Sequence, residues 1–389
     1  MLSGLSKPSR GTETMKRFAI GLAATFLAGA SHSTSPAYSH GASVEKLEAS
    51  RVAAMRQATS AFLKTLESEQ REAVVAALDD KDVRTNWSNL PVSMAPRSGL
   101  AVSDMNAEQR RALHAMMAAA FSSQGYLKTT TIMWHEDVLN DSFTAFIASM
   151  RDDDPRKPEA FAFAENYDSE KFFVSVFGDM NDDNWGWMVS GHHYAANFTV
   201  ADGRIAFTPL FLGASPQIVQ KGRYAGWRIL QHEADRAFAL LASLSPTQLE
   251  DAIISEEVDD EVFMGKGREM AFGQPAGLRA SDLDPVQESL LDALIDEYLD
   301  DASHEASARQ RSAIEADGPE TLHFEWWGPT DDPAARYMYR VRGPSILIDY
   351  VRERSADGGF NHVHSIVRDP SNDYGSKWLE LHYEEAHQD

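Results

Sequence analysis

The sequence predicts an α+β fold in which a helical hairpin and an antiparallel β-sheet unit occur twice and are joined as one compact body. Hydrophobic residues make up 43% of the 389-residue chain, which is enough to form a packed core. Segments with helical periodicity precede segments typical of strands in both halves. Two stretches of the first half also match two stretches of the second half at one constant offset. These three observations together predict the fold class.

The repeat is visible in two helical segments of each half. FLKTLESEQREAV begins at Phe62 and GLAVSDMNAEQRRALHAMM begins at Gly99, while LLASLSPTQLEDA begins at Leu240 and GLRASDLDPVQESLLDALI begins at Gly277. Both pairs are 178 residues apart and align without a gap. Polar side chains suited to capping precede each apolar run. The alternative explanation is that all four are ordinary capped helices without common ancestry.

Strands follow the helices in each half. We expect strands over residues 171–177, 185–190 and 193–200 in the first half, and over 322–327, 336–342 and 345–351 in the second half. The acidic residues 256–261 and the stretch 300–318 indicate solvated connections. The predicted organisation is an export segment at 1–39, a first helix-plus-sheet repeat at 40–235 and a second at 236–389.

The N-terminal region has the features of a signal peptide. A basic segment at 15–17 precedes the short apolar run 18–30, which ends in Ala28-Gly29-Ala30. Ala37-Tyr38-Ser39 is a second small-residue cleavage motif, and cleavage there would leave His40 as the first residue. Later apolar runs are shorter than the roughly 18 residues that a membrane span needs. We therefore expect a periplasmic or secreted protein without membrane insertion after cleavage.

Charge and cysteine content narrow the class of partners. The formal net charge is -23, and such an acidic protein repels nucleic-acid phosphates and anionic lipids. The chain has no cysteine, so disulfides, thiolate nucleophiles and cysteine-ligated zinc are excluded. The expected partner is a small-molecule substrate or ligand rather than nucleic acid. The oligomeric state does not follow from the sequence.

The thirteen histidines include three groups that could bind a metal. His192 and His193 are adjacent at an expected bend between two strands. His362 and His364 are two residues apart, so on a strand both rings lie on one face. His382 lies on a later segment, 378–383, for which we expect a helix. Because only one of two adjacent strand residues faces inward, the third imidazole would come from either His192 or His193, or else from His382.

These residues predict a metal site that contains copper or zinc. Three imidazoles would leave one coordination position open, as in catalytic metal sites. Asp369 and Asp373 are candidates for orienting a ligand or acting as the catalytic base. Two alternatives remain open. The histidines could form a buried polar network, or one of them could act as an acid or base without a metal.

Two classes of function fit this pattern. The first is a metal-dependent enzyme, either a hydrolase that activates water or a copper oxidase that activates dioxygen. The second is a non-catalytic periplasmic binding protein that holds a small polar ligand between the two halves. Metal content and ligand binding by the metal-free protein would distinguish them.

Several motifs resemble an exported bacterial family catalogued as domain of unknown function 3500. The resemblance extends from Ala54 to Tyr383. Its motifs are NWSNLP from Asn86, GY from Gly125, WGW and GHH from Trp185 and Gly191, NF from Asn197, FLGA from Phe211, NHVH from Asn361, RD from Arg368, DYG from Asp373 and HY from His382. The resemblance implies that the mature chain is one unit, and it points to His40 as the counterpart of the histidine that members often have just after the signal. It implies no reaction.

Overall fold

Polar residues begin most of the helices, as the capping pattern predicts. Asn106 accepts hydrogen bonds from the backbone N–H groups of Glu108 and Gln109, for example. The computed structural model describes residues 44–258, 274–355 and 358–386, which contain eleven α-helices. They are α1 Val44–Thr65, α2 Ser68–Val74, α3 Lys81–Arg84, α4 Ala107–Ala120, α5 Ser123–Ser149, α6 Lys157–Ala164, α7 Gln231–Ser243, α8 Pro246–Ala252, α9 Pro285–Leu299, α10 His304–Asp317 and α11 Ser376–Ala386.

The strands of the described residues join in a single 13-stranded sheet. They are β1 Val75–Ala76, β2 Leu100–Ala101, β3 Phe173–Phe177, β4 Trp185–Ser190, β5 Tyr194–Ala201, β6 Arg204–Ala206, β7 Leu210–Ala214, β8 Ile253–Ser255, β9 Leu278–Arg279, β10 His323–Trp327, β11 Met338–Gly343, β12 Ile346–Glu353 and β13 His362–Arg368. The order is β1-β3-β4-β5-β7-β13-β12-β11-β10-β8, with β2, β6 and β9 at the sides of β3, β5 and β10. The α+β class is therefore confirmed.

The two halves meet in the middle of the sheet. β7 of the first half pairs antiparallel with β13 of the second, and His364 lies opposite Gly213 in the register. Alternate residues of β13 point to opposite faces. Val363 and Val367 pack in the larger core with the helices, whereas Ile366 joins a smaller apolar cluster on the other face. His362 and His364 share the face of Ile366.

Each half contains the same local contacts around its first helices. Gln70 and Gln109 exchange a side-chain hydrogen bond, and the Nε2 of Gln109 also donates to the Thr65 carbonyl. In the second half Gln248 and Gln287 are bonded in the same way, and Gln287 Nε2 donates to the Ser243 carbonyl. The strands of the two halves are also arranged in the same order, from β1 to β7 in the first half and from β8 to β13 in the second. Duplication of an ancestral unit stays a prediction that these contacts support.

Two features differ from the expected organisation. The stretch 300–318 was expected to be a solvated connection, but it contains α10, whose N-cap Ser303 accepts a hydrogen bond from the Ala306 N–H. The boundary between residues 235 and 236 falls inside α7. The export segment, His40 and residues 259–261 of the acidic stretch lie outside the described residues. Among the described helices, none has the length and apolar character needed to cross a membrane.

Candidate metal centre

Strand β13 presents two imidazoles on one face. His362 and His364 are two residues apart on this strand, and their Nε2 atoms are 3.0 Å apart. This is the arrangement that the His-x-His spacing predicts, because side chains two apart on a strand lie on the same side. The second half of the chain therefore supplies two converging nitrogen atoms.

The first half supplies a third imidazole from the bend between β4 and β5. His193 directly precedes β5, and its Nε2 lies 3.1 Å from the Nε2 of His362. The three ligand atoms of His193, His362 and His364 lie within 4.8 Å of one another. The structure thus brings together three of the five histidines that the sequence singled out.

A buried arginine fixes the bend that carries His193. The Nη2 of Arg97 donates to the backbone carbonyls of Ser88, Leu90 and Gly191 over 2.7, 2.7 and 2.9 Å. Burial lowers the pKa of Arg97 to about 10, yet the guanidinium stays charged at neutral pH. Because Gly191 immediately precedes the two histidines, these bonds hold their backbone in place.

Glu136 of α5 orients the imidazole of His193. Its Oε1 lies 2.5 Å from His193 Nδ1, and its Oε2 lies 3.0 Å from His192 Nδ1. A carboxylate accepts, so both Nδ1 atoms carry the proton and donate. The lone pair of His193 is therefore on Nε2, which faces the other two rings. A carboxylate behind a histidine is the usual support of a metal ligand.

The other two rings also have polar groups behind them. The ring of His362 is hydrogen-bonded to the backbone of Arg354. Nδ1 of His364 lies 3.4 Å from Glu353 Oε1, a charged neighbour at longer range than a good hydrogen bond. All three Nε2 atoms thus point toward one another and away from the groups behind the rings.

Burial keeps the site ready to bind a cation. Burial and the neighbouring His192 lower the pKa of His193 to about 3, and burial together with His364 and His193 places the pKa of His362 well below its usual value. Burial alone would raise the pKa of Glu136, but the His192 and His193 rings outweigh it and hold that pKa well below its usual value. Neutral imidazoles beside an ionised carboxylate are the protonation states that metal ligation requires.

The missing side chain of Gly213 leaves room for two of the rings. A Cβ at this position would lie 2.8 Å from Cδ2 of His193 and 2.9 Å from Cδ2 of His364. Such contacts are closer than carbon atoms approach in proteins. The position on β7 opposite His364 therefore requires glycine, because any side chain there would collide with the two rings.

His362 marks the accessible side of the cluster. His193 and His364 are buried, whereas His362 is only partly buried. A molecule from solvent would approach on the side where β13 begins. This end of the strand is where Asn361 precedes His362.

His192 supports the site rather than joining the three converging rings. Its Nδ1 is bound to Glu136, and its ring packs against His193 and Tyr167 at centroid distances of 3.7 and 5.3 Å. Glu136, His192 and His193 also form a cluster with metal-ligand geometry. The carboxylate of Glu136 already accepts hydrogen bonds from the N–H groups of both histidines. This second cluster therefore needs no cation.

The structure separates the remaining predicted residues from the cluster, and they are corrected here. His382 lies on α11 and its Nδ1 is 2.8 Å from Asp202 Oδ1. Asp369 follows the far end of β13, five residues beyond His364, which is roughly 17 Å along a strand. Asp373 accepts from the guanidinium of Arg368 over 2.7 Å at that same end. These three side chains do not reach the metal site.

Sequence reasoning missed Glu136 and Gly213. Glu136 lies 56 residues before His192, and the one signal was its position beside His135 in the run MWHED. Gly213 is in the FLGA motif, but its proximity to the rings depends on the pairing of β7 with β13. Neither contact follows from local spacing.

Comparisons with known proteins place the chain in a family. No curated protein and no solved structure matches it. The model of the family described as "Protein of unknown function (DUF3500)" matches residues 48–376, which include all the residues of the site. The chain therefore belongs to the domain of unknown function 3500 family.

Proposed function

We propose that this protein binds one zinc or copper ion through Nε2 of His193, His362 and His364. The observation that carries the proposal is the convergence of three imidazole nitrogens, which lie within 4.8 Å of one another. Two of the separations are 3.1 and 3.0 Å. Lone pairs this close repel unless a proton or a cation lies between them, and burial disfavours the proton on His193 and His362.

The spacing of the nitrogens fits a tetrahedral metal. Ligand nitrogens about 2.0–2.1 Å from zinc are roughly 3.3 Å apart at tetrahedral angles. The observed separations of 3.0 and 3.1 Å are slightly shorter, as expected for rings that a cation would push outward. Glu136 also offsets part of the charge that a divalent ion would bring into a buried site.

The open position supports catalysis as the role of the metal. Three protein ligands leave a fourth position, and the partial exposure of His362 gives solvent a route to it. Zinc in such a site would supply an activated water for hydrolysis, and copper would supply redox chemistry with dioxygen. The two metals therefore correspond to the two enzyme classes, hydrolase and oxidase, that we propose.

The proposal includes export. The basic and apolar segments at residues 15–30 support passage to the periplasm or outside the cell. N-terminal sequencing of protein from the periplasmic fraction should begin at Ser31 or at His40. Retention of residues 15–30 in protein from the cytoplasmic fraction would refute export.

Metal content tests the proposal directly. Protein purified from the periplasm without a His tag should contain about one zinc or copper per chain by elemental mass spectrometry. The double variant His362→Ala, His364→Ala should lose this metal. His382→Ala is the matched control and should keep it, because His382 is bound to Asp202 away from the site.

Three outcomes would count against this assignment. Failure to take up zinc or copper after reconstitution would favour the alternative of a metal-free binding protein for a small polar ligand. Metal retained by the double variant would place the ion elsewhere. Two ions per chain, with one lost in a Glu136→Gln variant, would show that Glu136 and His192 are ligands rather than supports.

A further inference from the structure

An exposed hairpin stands beside the accessible side of the metal site. We name residues 218–228 the arm. Its ends are joined by a bridge between Ile218 and Arg228. The Val219 N–H donates to the Trp227 carbonyl, and the Gly226 N–H donates to the Val219 carbonyl. Residues 220–228 are all exposed. Loops that reach solvent next to a rigid site commonly bind ligands.

The base of the arm is attached to the same elements that build the metal site. Asn361 directly precedes His362, and its side chain bonds both the N–H and the carbonyl of Ile218 over 2.8 and 2.9 Å. His135 directly precedes Glu136, and its Nε2 lies 2.7 Å from the Pro216 carbonyl. Both anchors are therefore immediate neighbours of metal-site residues.

Gln217 fixes the start of the arm in the protein interior. Its backbone N–H donates to the Asn361 carbonyl over 2.7 Å, and its side chain donates to the Tyr350 hydroxyl over 2.8 Å. Val219 is only two residues further, roughly 7 Å of extended chain. Trp227 faces Val219 across the hairpin through a backbone bond of 2.9 Å. The aromatic part of the arm thus starts close to the entrance beside His362.

Two aromatic rings of the arm are stacked on each other. Tyr224 and Trp227 stack with centroids 4.7 Å apart and an interplanar angle of 26°. Tyr224 and Trp227 are 38% and 42% exposed, whereas the aromatic side chains of the core are buried. A stacked pair already held together offers its outer face to a ligand ring at low entropic cost.

The arm is basic in a strongly acidic protein. It contains Lys221, Arg223 and Arg228 and no acidic residue, whereas the whole chain has a net charge of -23. Arg228 is paired with Asp235, and Arg223 lies over the Tyr224 ring at 5.9 Å. Arginine and lysine attract oxyanions, and the surrounding negative charge excludes large polyanions.

We infer that the arm is the substrate-binding element of the metal site and that it selects small ring-bearing carboxylates. Trp227, with Tyr224 stacked behind it, packs on the ligand ring, while Lys221 and Arg223 attract the carboxylate. Aromatic acids and uronic acids both have this chemistry. The inference rests on the proposed metal site only for what happens to the bound substrate, since the binding itself uses residues of the arm.

Binding to the metal-loaded protein tests the arm. Isothermal titration with 4-hydroxybenzoate and D-galacturonate, against 4-hydroxybenzyl alcohol and D-galactose, should show one acid binding at least tenfold tighter than its neutral counterpart. The better acid identifies the source of the ring. Trp227→Ala should weaken its binding at least tenfold, and Trp227→Phe should restore most of it. Lys221→Ala with Arg223→Ala should abolish the preference for the acid.

Trp134→Ala is the matched control, because Trp134 is 56% exposed and lies on α5 outside the arm. It should bind as the wild type does. No binding of either acid, or equal binding by Trp227→Ala and Trp134→Ala, would overturn the inference. Metal content measured on the same samples separates the two proposals. If the protein takes up no metal but still binds an acid in a way that depends on Trp227, the inference about the arm stands and the proposed metal site is refuted.

Discussion

Glu136 is the residue on which the orientation of the first-half histidines depends. Its two oxygens each accept from one Nδ1 atom, so they fix which nitrogen of His193 carries the lone pair. Burial would favour a neutral carboxyl, and only its two imidazole partners keep the pKa low. One carboxylate therefore determines both the ring orientation and part of the charge balance of the site.

Replacing Glu136 by glutamine should weaken metal binding about 10–100-fold. Glutamine has the same shape, but its NH₂ group would face an N–H donor of one histidine and leave that pair unsatisfied. Competition with a chelator of known affinity measures the change. Asp137→Asn is the matched control, since Asp137 bonds Ser169 instead. Equal affinities in the two variants would contradict the supporting role.

Gly213 gives a second prediction, which concerns space rather than charge. Gly213→Ala places a Cβ within 2.9 Å of two ligand rings, so the rings must rotate and metal affinity should fall at least tenfold. Gly343→Ala is the control, because the added Cβ would have its nearest neighbour, the Leu322 side chain, at 3.3 Å and would lie away from the site. Chelator competition on both variants would refute the argument if Gly213→Ala bound metal like Gly343→Ala.

The sequence predicts those residues of the site whose relative positions follow from short spacing along the chain. The two-residue spacing of His362 and His364 is enough to place both rings on one face. Glu136 could not be predicted, because its contact joins a helix to a bend 56 residues later. His382 was grouped with the others by residue type alone, and the structure pairs it with Asp202.

At the scale of elements, a buried charge cluster joins α5 to α7 and α9. Nζ of Lys128 lies 2.7, 3.2 and 2.8 Å from carboxylate oxygens of Glu233, Glu297 and Asp301. Arg236 also binds Glu297 over 2.9 Å. Three buried carboxyl groups thus face Lys128 and the partly exposed Arg236, which favours one retained proton.

The cluster makes stability depend on pH. Burial raises the pKa of Asp301 from 3.8 to about 7, with Lys128 opposing and Glu233 adding to the rise. The folded state thus binds a proton that the unfolded state releases, and stability rises as pH falls from above 7 toward 4, by at most about 1.4 kcal/mol per pH unit. Asp301→Asn lacks this contribution. Its melting temperature relative to wild type should be higher at pH 8 than at pH 5.

Thermal unfolding of both proteins across this range measures the effect. Taking the difference between the two melting temperatures at each pH removes the opposing contributions of the buried histidines, because these are the same in both proteins. A difference that does not change with pH would show that Asp301 is ionised throughout.

The order of elements was more predictable than their boundaries. The strand segments before and after the GHH bend correspond to β4 and β5 because aromatic and β-branched residues mark the strands and a glycine marks the bend. α10 was missed because charged and polar residues dominate it, and its burial of Ala306 and Ile314 comes from tertiary packing. The pairing of β7 with β13 joins distant segments and has no local signature.

At the scale of the molecule, the proposed metal site spans both halves of the chain. His193 comes from the first half and His362 and His364 from the second, and the strands β7 and β13 between them belong to one continuous sheet. A cation bound there would join the halves where the sheet passes from one to the other. Metal binding and global folding should therefore be coupled.

Metal removal should lower the temperature of a single unfolding transition. A ligand present at a hundred times its dissociation constant stabilises the folded state by about 2.7 kcal/mol, and this stabilisation acts on both halves because each supplies ligands. Calorimetry with and without chelator measures the shift, and the double variant His362→Ala, His364→Ala should show none. Two separate transitions, of which the chelator moves only one, would mean that the halves unfold independently. In that case, the sheet would not couple the halves, and the ion would stabilise only the half that retains it.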